Sequence, residues 1–133
     1  MVYADNHDCI TWLSQQLLAQ GDTKPHHHAV SRPMVVEREA THRAISLAEV
    51  SGTPVFIVHV SGREAVEQIA WAQNRGLPVY GETYPQYLFL SADDMERPDF
   101  EGAKFMCSPP PRDRANPETL WRALKHSTFQ VFS

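Results

Sequence analysis

The sequence is short of the features that lead a chain to a membrane, to secretion or to nucleic acid. It has no apolar run of about 18 residues, so no membrane span is expected. Its N-terminus has no basic stretch followed by an apolar one, so no signal peptide is expected either. Cysteine is scarce: Cys9 and Cys107 lie far apart without metal-type spacing, which fits two half-buried reduced thiols in a cytosolic protein. Positive charge is nowhere concentrated. The 12 basic and 16 acidic residues are interspersed and give a net charge of −4, with no basic stripe for a phosphate backbone. DNA and RNA are therefore not expected partners. What remains is a chain of 133 residues, 42% hydrophobic, with the length and apolar content of one domain or part of one.

The stretch Val55 to Gly62, V-F-I-V-H-V-S-G, is the densest apolar run, broken only by His59 near its end. This is the pattern of a strand buried on both faces with a polar group at its C-terminal end. Ser61 then opens S-G-R-E, a capping box in which Ser61 and Glu64 would start a helix. A strand that ends in histidine and turns into a helix is the junction where α/β barrels place their chemistry.

The rest of the chain alternates around that junction. Met1 to Asp5 reads as the tail of a strand, and Asn6 as the N-cap of a helix carrying Ile10, Leu13, Leu17 and Leu18 and ending at Gly21. Asp22 to Pro33, with three histidines at 26 to 28, is expected to be a solvated or hydrogen-bonded loop. Neighbouring imidazoles point different ways, and nothing nearby completes a metal site. A second helix runs from Pro33 to Gly52, with Val36, Ala40, Ala44, Leu47 and Ala48 inward and Glu37, Arg38, Glu39 and Arg43 mostly outward. Another helix follows to Gly76, then a strand Val79 to Thr83 with Glu82 and Thr83 at its polar end. Residues 84–114 are irregular but rich in aromatics and proline, so they are expected to be a packed functional loop. Asn116-Pro117-Glu118 starts a last helix with Leu120, Trp121 and Leu124 inward, and Phe129 to Ser133 is a final strand. The fold class is α/β with parallel crossovers. Both ends cut through strands, so the chain is expected to be a piece of a larger barrel domain with bare edges.

The motifs H-A-V-S-R-P, E-A-T-H-R-A-I-S-L-A-E, V-H-V-S, G-E-T-Y-P-Q-Y-L and F-E-G-A-K-F-M-C-S-P-P-P-R-D together resemble the D-hydantoinase and dihydropyrimidinase family of the amidohydrolase superfamily, over nearly the whole chain. The resemblance implies that residues 1–133 are the C-terminal half of a (β/α)8 barrel, about strands five to eight, truncated at both ends. It implies a hydrolase of the cyclic amide bond in hydantoins or dihydropyrimidines, cytoplasmic and assembled as a homo-oligomer, tetramer or dimer. Two divalent ions, usually zinc, would be held by histidines, a carboxylated lysine and an aspartate, and would generate the attacking hydroxide. By resemblance His59 is the sixth-strand metal ligand, with its second ring nitrogen held by an acceptor, and the main chain of Ser108 contacts the substrate.

One departure stands out. Relatives carry H-A-E-N where this chain has Y-A-D-N, so Tyr3 occupies a position that is histidine in relatives. A phenol, with a reference pKa of about 10, is a weak zinc ligand at neutral pH. The remaining ligands, including the catalytic aspartate expected beyond Ser133, are not in this sequence, and the chain alone is expected to be inactive. Tyr3 therefore favours an alternative, a non-catalytic scaffold like the collapsin response mediator proteins. A further alternative is an allantoinase or dihydroorotase, although those carry histidine where this chain has Gln86.

Overall fold

Local signals set most of the elements in the computed structural model, which describes residues 1–133. Asn6 caps helix α1 (His7–Ala19), its Oδ1 accepting from the Cys9 N–H at 3.1 Å. Pro33 opens the long helix α3 (Met34–Ser51), and Gly52 closes it with φ +64, a left-handed turn that glycine adopts without strain. Between them the predicted loop contains one short helix, α2 (His27–Val30). Strand β1 (Val55–Ile57), helix α4 (Arg63–Asn74) and strand β2 (Val79–Thr83) follow. The 84–114 region is packed as expected: it holds a short helix α5 (Gln86–Phe89) and two 3₁₀ turns, with Tyr87, Leu88 and Met95 buried. Helix α6 (Asn116–Lys125) and strand β3 (Val131–Phe132) complete the chain.

The three strands form one parallel sheet in the order β1-β2-β3, and Val2 adds a parallel bridge to Ile57 on the other side of β1. Strand neighbours are thus neighbours in sequence throughout, with no point at which the order reverses. Helices α3 and α4 pack on this sheet and α6 packs on α4 and α5, around Ile45, Ile57, Ile69 and Leu120, all of which are fully buried.

Several inward faces differ from the expected ones. Leu47 is 64% exposed and Trp121 48% exposed, while Ile45 and Ala123 take the buried places. No residue of α1 is buried, despite its apolar stripe. Cys9 is exposed rather than half-buried, and both cysteines are free. Glu37, predicted to face outward on α3, is among the most buried side chains in the protein.

Candidate functional site

The strand that carries His59 ends sooner than its apolar run. After Ile57 the chain leaves the ladder, yet Val58 through Ser61 stay buried. His59 adopts φ +42, in the left-handed region that costs a residue with a Cβ some strain. Its ring packs edge-on against Tyr3, centroids 4.1 Å apart at 68°, with Tyr84 at 6.3 Å on another side. His59 is 3% exposed, and neither Nδ1 nor Nε2 has a hydrogen-bond partner. The acceptor predicted for its second nitrogen is therefore absent. Burial holds its pKa below the ordinary histidine value, with Glu37 and Glu82 opposing. The result is a neutral imidazole with uncommitted nitrogens, the form in which histidine binds metal.

What is fixed around His59 is the backbone. Its N–H lies 3.4 Å from Glu82 Oε2, and the Val60 N–H donates to Glu82 O at 2.8 Å. Thr83 Oγ1 donates to Val60 O at 2.8 Å, so the Glu82-Thr83 pair at the end of β2 brackets the turn. Glu37 takes the next residue: it accepts from the Ser61 N–H at 2.7 Å and from Ser61 Oγ at 2.9 Å. Arg112 closes the cluster, donating from Nε to Ser61 Oγ and from Nη2 to Glu37 Oε2, each at 2.9 Å, and from Nη1 to the carbonyl of Arg32. The Glu37 and Arg112 side chains are 3% and 4% exposed, an ion pair that survives burial because its polar atoms are hydrogen-bonded.

The predicted capping box between Ser61 and Glu64 does not form: the Ser61 hydroxyl donates to Glu37 and its oxygen accepts from Arg112 Nε instead of from the start of α4. Gly62 is the N-cap of α4 without a side-chain bond, and Glu64 pairs outward with Arg38 at 3.0 Å. The cap comes from another helix instead. Asn116 at the start of α6 accepts from the Arg63 N–H at 2.8 Å and donates to Ser61 O at 2.7 Å.

Ser108 sits in a second cluster. Its hydroxyl is 3.3 Å from His28 Nε2, and that same nitrogen is 2.8 Å from Cys107 O. A carbonyl can only accept, so Nε2 carries the proton and Nδ1 accepts from Arg32 Nη1 at 3.2 Å. Burial and the nearby Arg32 and Arg112 charges depress the His28 pKa, despite the bond to Cys107. His27 accepts from the Lys24 N–H at 3.2 Å, lies 3.6 Å from Asp22 and meets the His26 ring at a tilt of 48°.

Tyr3 and His59 are thus brought into ring contact, whereas Ser108 is bonded into the His28 cluster. A cavity of about 270 Å³ lies between α1, α2 and the Phe100–Met106 segment, and none of Tyr3, His59 and Ser108 lines it. No three His, Cys, Asp or Glu side chains gather in a metal-holding group. One buried, unpartnered imidazole fits one ligand position, but the residues of this chain do not by themselves fit a two-ion centre. Sequence reasoning missed Glu37, Arg112 and Asn116. The only signal was a lone arginine after three prolines at 109 to 111.

These features define a class: a singly wound α/β segment whose polar groups converge at the C-terminal ends of parallel strands. No protein-family model matches the chain. Individual proteins do. It is 50% identical over all 133 residues to D-hydantoinase of Streptomyces coelicolor, covering 28% of that protein. Against D-hydantoinase of Geobacillus stearothermophilus it is 49% identical over 131 residues, 98% of the chain and 28% of the relative. The crystal structure of dihydropyrimidinase from Brevibacillus agri superposes with a TM-score of 0.98 at 47% identity, over 99% of this chain and 29% of that one. Over its whole length the chain is similar to the D-hydantoinases and dihydropyrimidinases, and it spans about 28% of the length of the curated relatives it matches. No helix is long and apolar enough to cross a membrane.

Proposed function

We propose that residues 1–133 are the later part of the catalytic barrel of a cyclic amidohydrolase, about strands five to eight of a (β/α)8 fold, acting on hydantoins or dihydropyrimidines. The observation that carries this reading is His59: a buried, neutral imidazole without a partner at a strand end is costly to keep unless a ligand uses it. In this reading His59 is one ligand of a two-ion, zinc-type centre, and the Ser108 main chain meets the amide edge of the substrate. The chain's own residues hold and orient. Glu37, Arg112, Asn116, Glu82 and Thr83 fix the His59 turn, and His28 fixes the Cys107-Ser108 carbonyl that precedes the prolines. The other ligands belong to barrel segments that the relatives possess and these 133 residues do not match. A cytosolic homo-oligomer is part of the same reading.

Tyr3 supports a second reading. Its ring lies against the His59 ring, where a second ligand would have to reach, so the scaffold would be non-catalytic. Grafting separates the two. Residues 1–133 would replace the matching segment of the Streptomyces coelicolor D-hydantoinase, with and without Tyr3→His, and bound metal and ring opening of hydantoin and dihydrouracil would be measured. The enzyme reading expects the unaltered graft to load metal and open a ring, with His59→Ala abolishing both, whereas the non-catalytic reading expects metal and ring opening only after Tyr3→His. A graft carrying Tyr3→His that folds, binds two ions and opens neither ring would end the hydrolase assignment.

A further inference from the structure

The ring of His59 has no hydrogen bond to hold it, yet the residue sits at a strained φ of +42 in a well-defined contact with Tyr3. Something other than its own nitrogens must set its direction. From His59 N–H to Ser61 O, backbone groups of the turn are gripped from outside: the His59 and Val60 N–H groups by Glu82, Val60 O by Thr83, Ser61 N–H by Glu37 and Ser61 O by Asn116. Glu37 is the member without a strand-end alternative. It projects from α3, across the turn, and is neutralised there by Arg112 from the distant 84–114 region. The fit is close, since a Cβ at Gly62 would lie 2.8 Å from Glu37 Oε2.

We propose that Glu37, paired with Arg112, is a positioning residue: it aims the His59 imidazole by clamping Ser61, two residues on, and so leaves both ring nitrogens free. The role rests on reading His59 as a ligand, but the aiming itself is a geometric property of this chain. A hydrogen bond to the ring would orient it at the expense of one donor atom, whereas a clamp on the main chain orients it at the expense of none. Burying the ion pair is the cost of that arrangement, since two desolvated charges seldom contribute net stability.

The test reads the ring directly. In the isotopically labelled 133-residue chain, the His59 ring protons should show nuclear Overhauser contacts to the rings of Tyr3 and Tyr84. Glu37→Gln keeps the shape but weakens the clamp, and the contacts should be lost and the His59 ring signals move. Leu120→Ala, which opens a cavity in the core at α6, should leave both in place although it destabilises the fold. Unchanged contacts in folded Glu37→Gln would overturn the proposal, as would their equal loss in Leu120→Ala. Should Glu37→Gln not fold, Ser61→Ala removes one donor to Glu37 and one acceptor from Arg112. It should weaken the same contacts, and intact contacts there would be equally fatal. Hydrolysis enters none of these readings, so failure of the clamp and failure of the enzyme assignment are told apart.

Discussion

His28 and His59 are two imidazoles that burial keeps neutral, and the protein treats them in opposite ways. His28 sits on a one-turn helix inside a loop, with Nε2 spent on Cys107 O and Nδ1 on Arg32. Its ring is a bracket between two loops, and its tautomer is set. The backbone of His59 is gripped instead, while its ring is left unspent. A histidine that closes a structure uses its nitrogens, and one that serves a ligand keeps them, so hydrogen-bond accounting separates the two roles where acidity, lowered by burial in both, does not.

Arg112 is where the comparison can be broken most severely, because it reaches both regions through Arg32 O and the Glu37–Ser61 pair. Arg112→Met leaves Glu37 buried without its counter-charge and should cost about 3–5 kcal/mol in urea unfolding. Amide signals should shift on both sides, around His28 and around Ser61. Shifts confined to one side would show that the regions are independent.

Next in size is a pair of identical substitutions with opposite expected signs. His28→Phe removes two hydrogen bonds and strands the Cys107 carbonyl, a loss of about 1–2 kcal/mol. His59→Phe keeps the edge-on packing with Tyr3 and removes two unpaired buried nitrogens, so stability should rise by about 1 kcal/mol. If both variants lost stability, His59 would be a structural residue and the contrast would collapse.

The smallest effect concerns Asp5, which is half-buried and lies in the field of Glu37, Arg112 and Arg32. Burial first, and Glu37 second, raise its pKa from 3.8 to about 6, with both arginines pulling it back. The folded state then binds the proton more tightly than the unfolded one, so Asp5 takes stability away as pH rises through that window. Asp5→Asn should therefore gain on the parent between pH 4 and pH 7 in urea midpoints, by less than the full shift because solvent reaches this side chain. A constant difference across that range would remove Asp5 from the electrostatics of the cluster.

Elements with a local cause were legible in the sequence. Asn6 capped α1, Gly52 ended α3, and Val79 to Thr83 formed a strand with its polar pair at the predicted end. Periodicity failed where the face depended on a partner distant in sequence. An apolar stripe shows that a helix is amphipathic, but not what covers the stripe, so Ile10, Leu13, Leu17 and Leu18 looked buried and α1 has no buried residue. Glu37 looked solvated because its attraction inward comes from Arg112, 75 residues later. Ser61 looked like a cap, but its hydroxyl is taken up by Glu37 as a donor and by Arg112 as an acceptor. His59 was visible at a strand end, but the emptiness around its nitrogens is a property of packing alone.

The first twenty residues are joined to the body by few interactions. Val2 exchanges two backbone hydrogen bonds with β1, Ala4 enters the core, and Asn6 reaches Glu39, while α1 buries nothing. Native-state hydrogen exchange should therefore find two cooperative units, with α1 opening well below the free energy that unfolds α3, β1, α4 and β2. Tyr3 stands between Val2, bonded to the β1 segment, and Ala4 in the core, so it belongs with His59 to the stronger unit. The cover over the imidazole should therefore stay in place when α1 opens, and exposing His59 should require the Val2–Ala4 anchor to release as well.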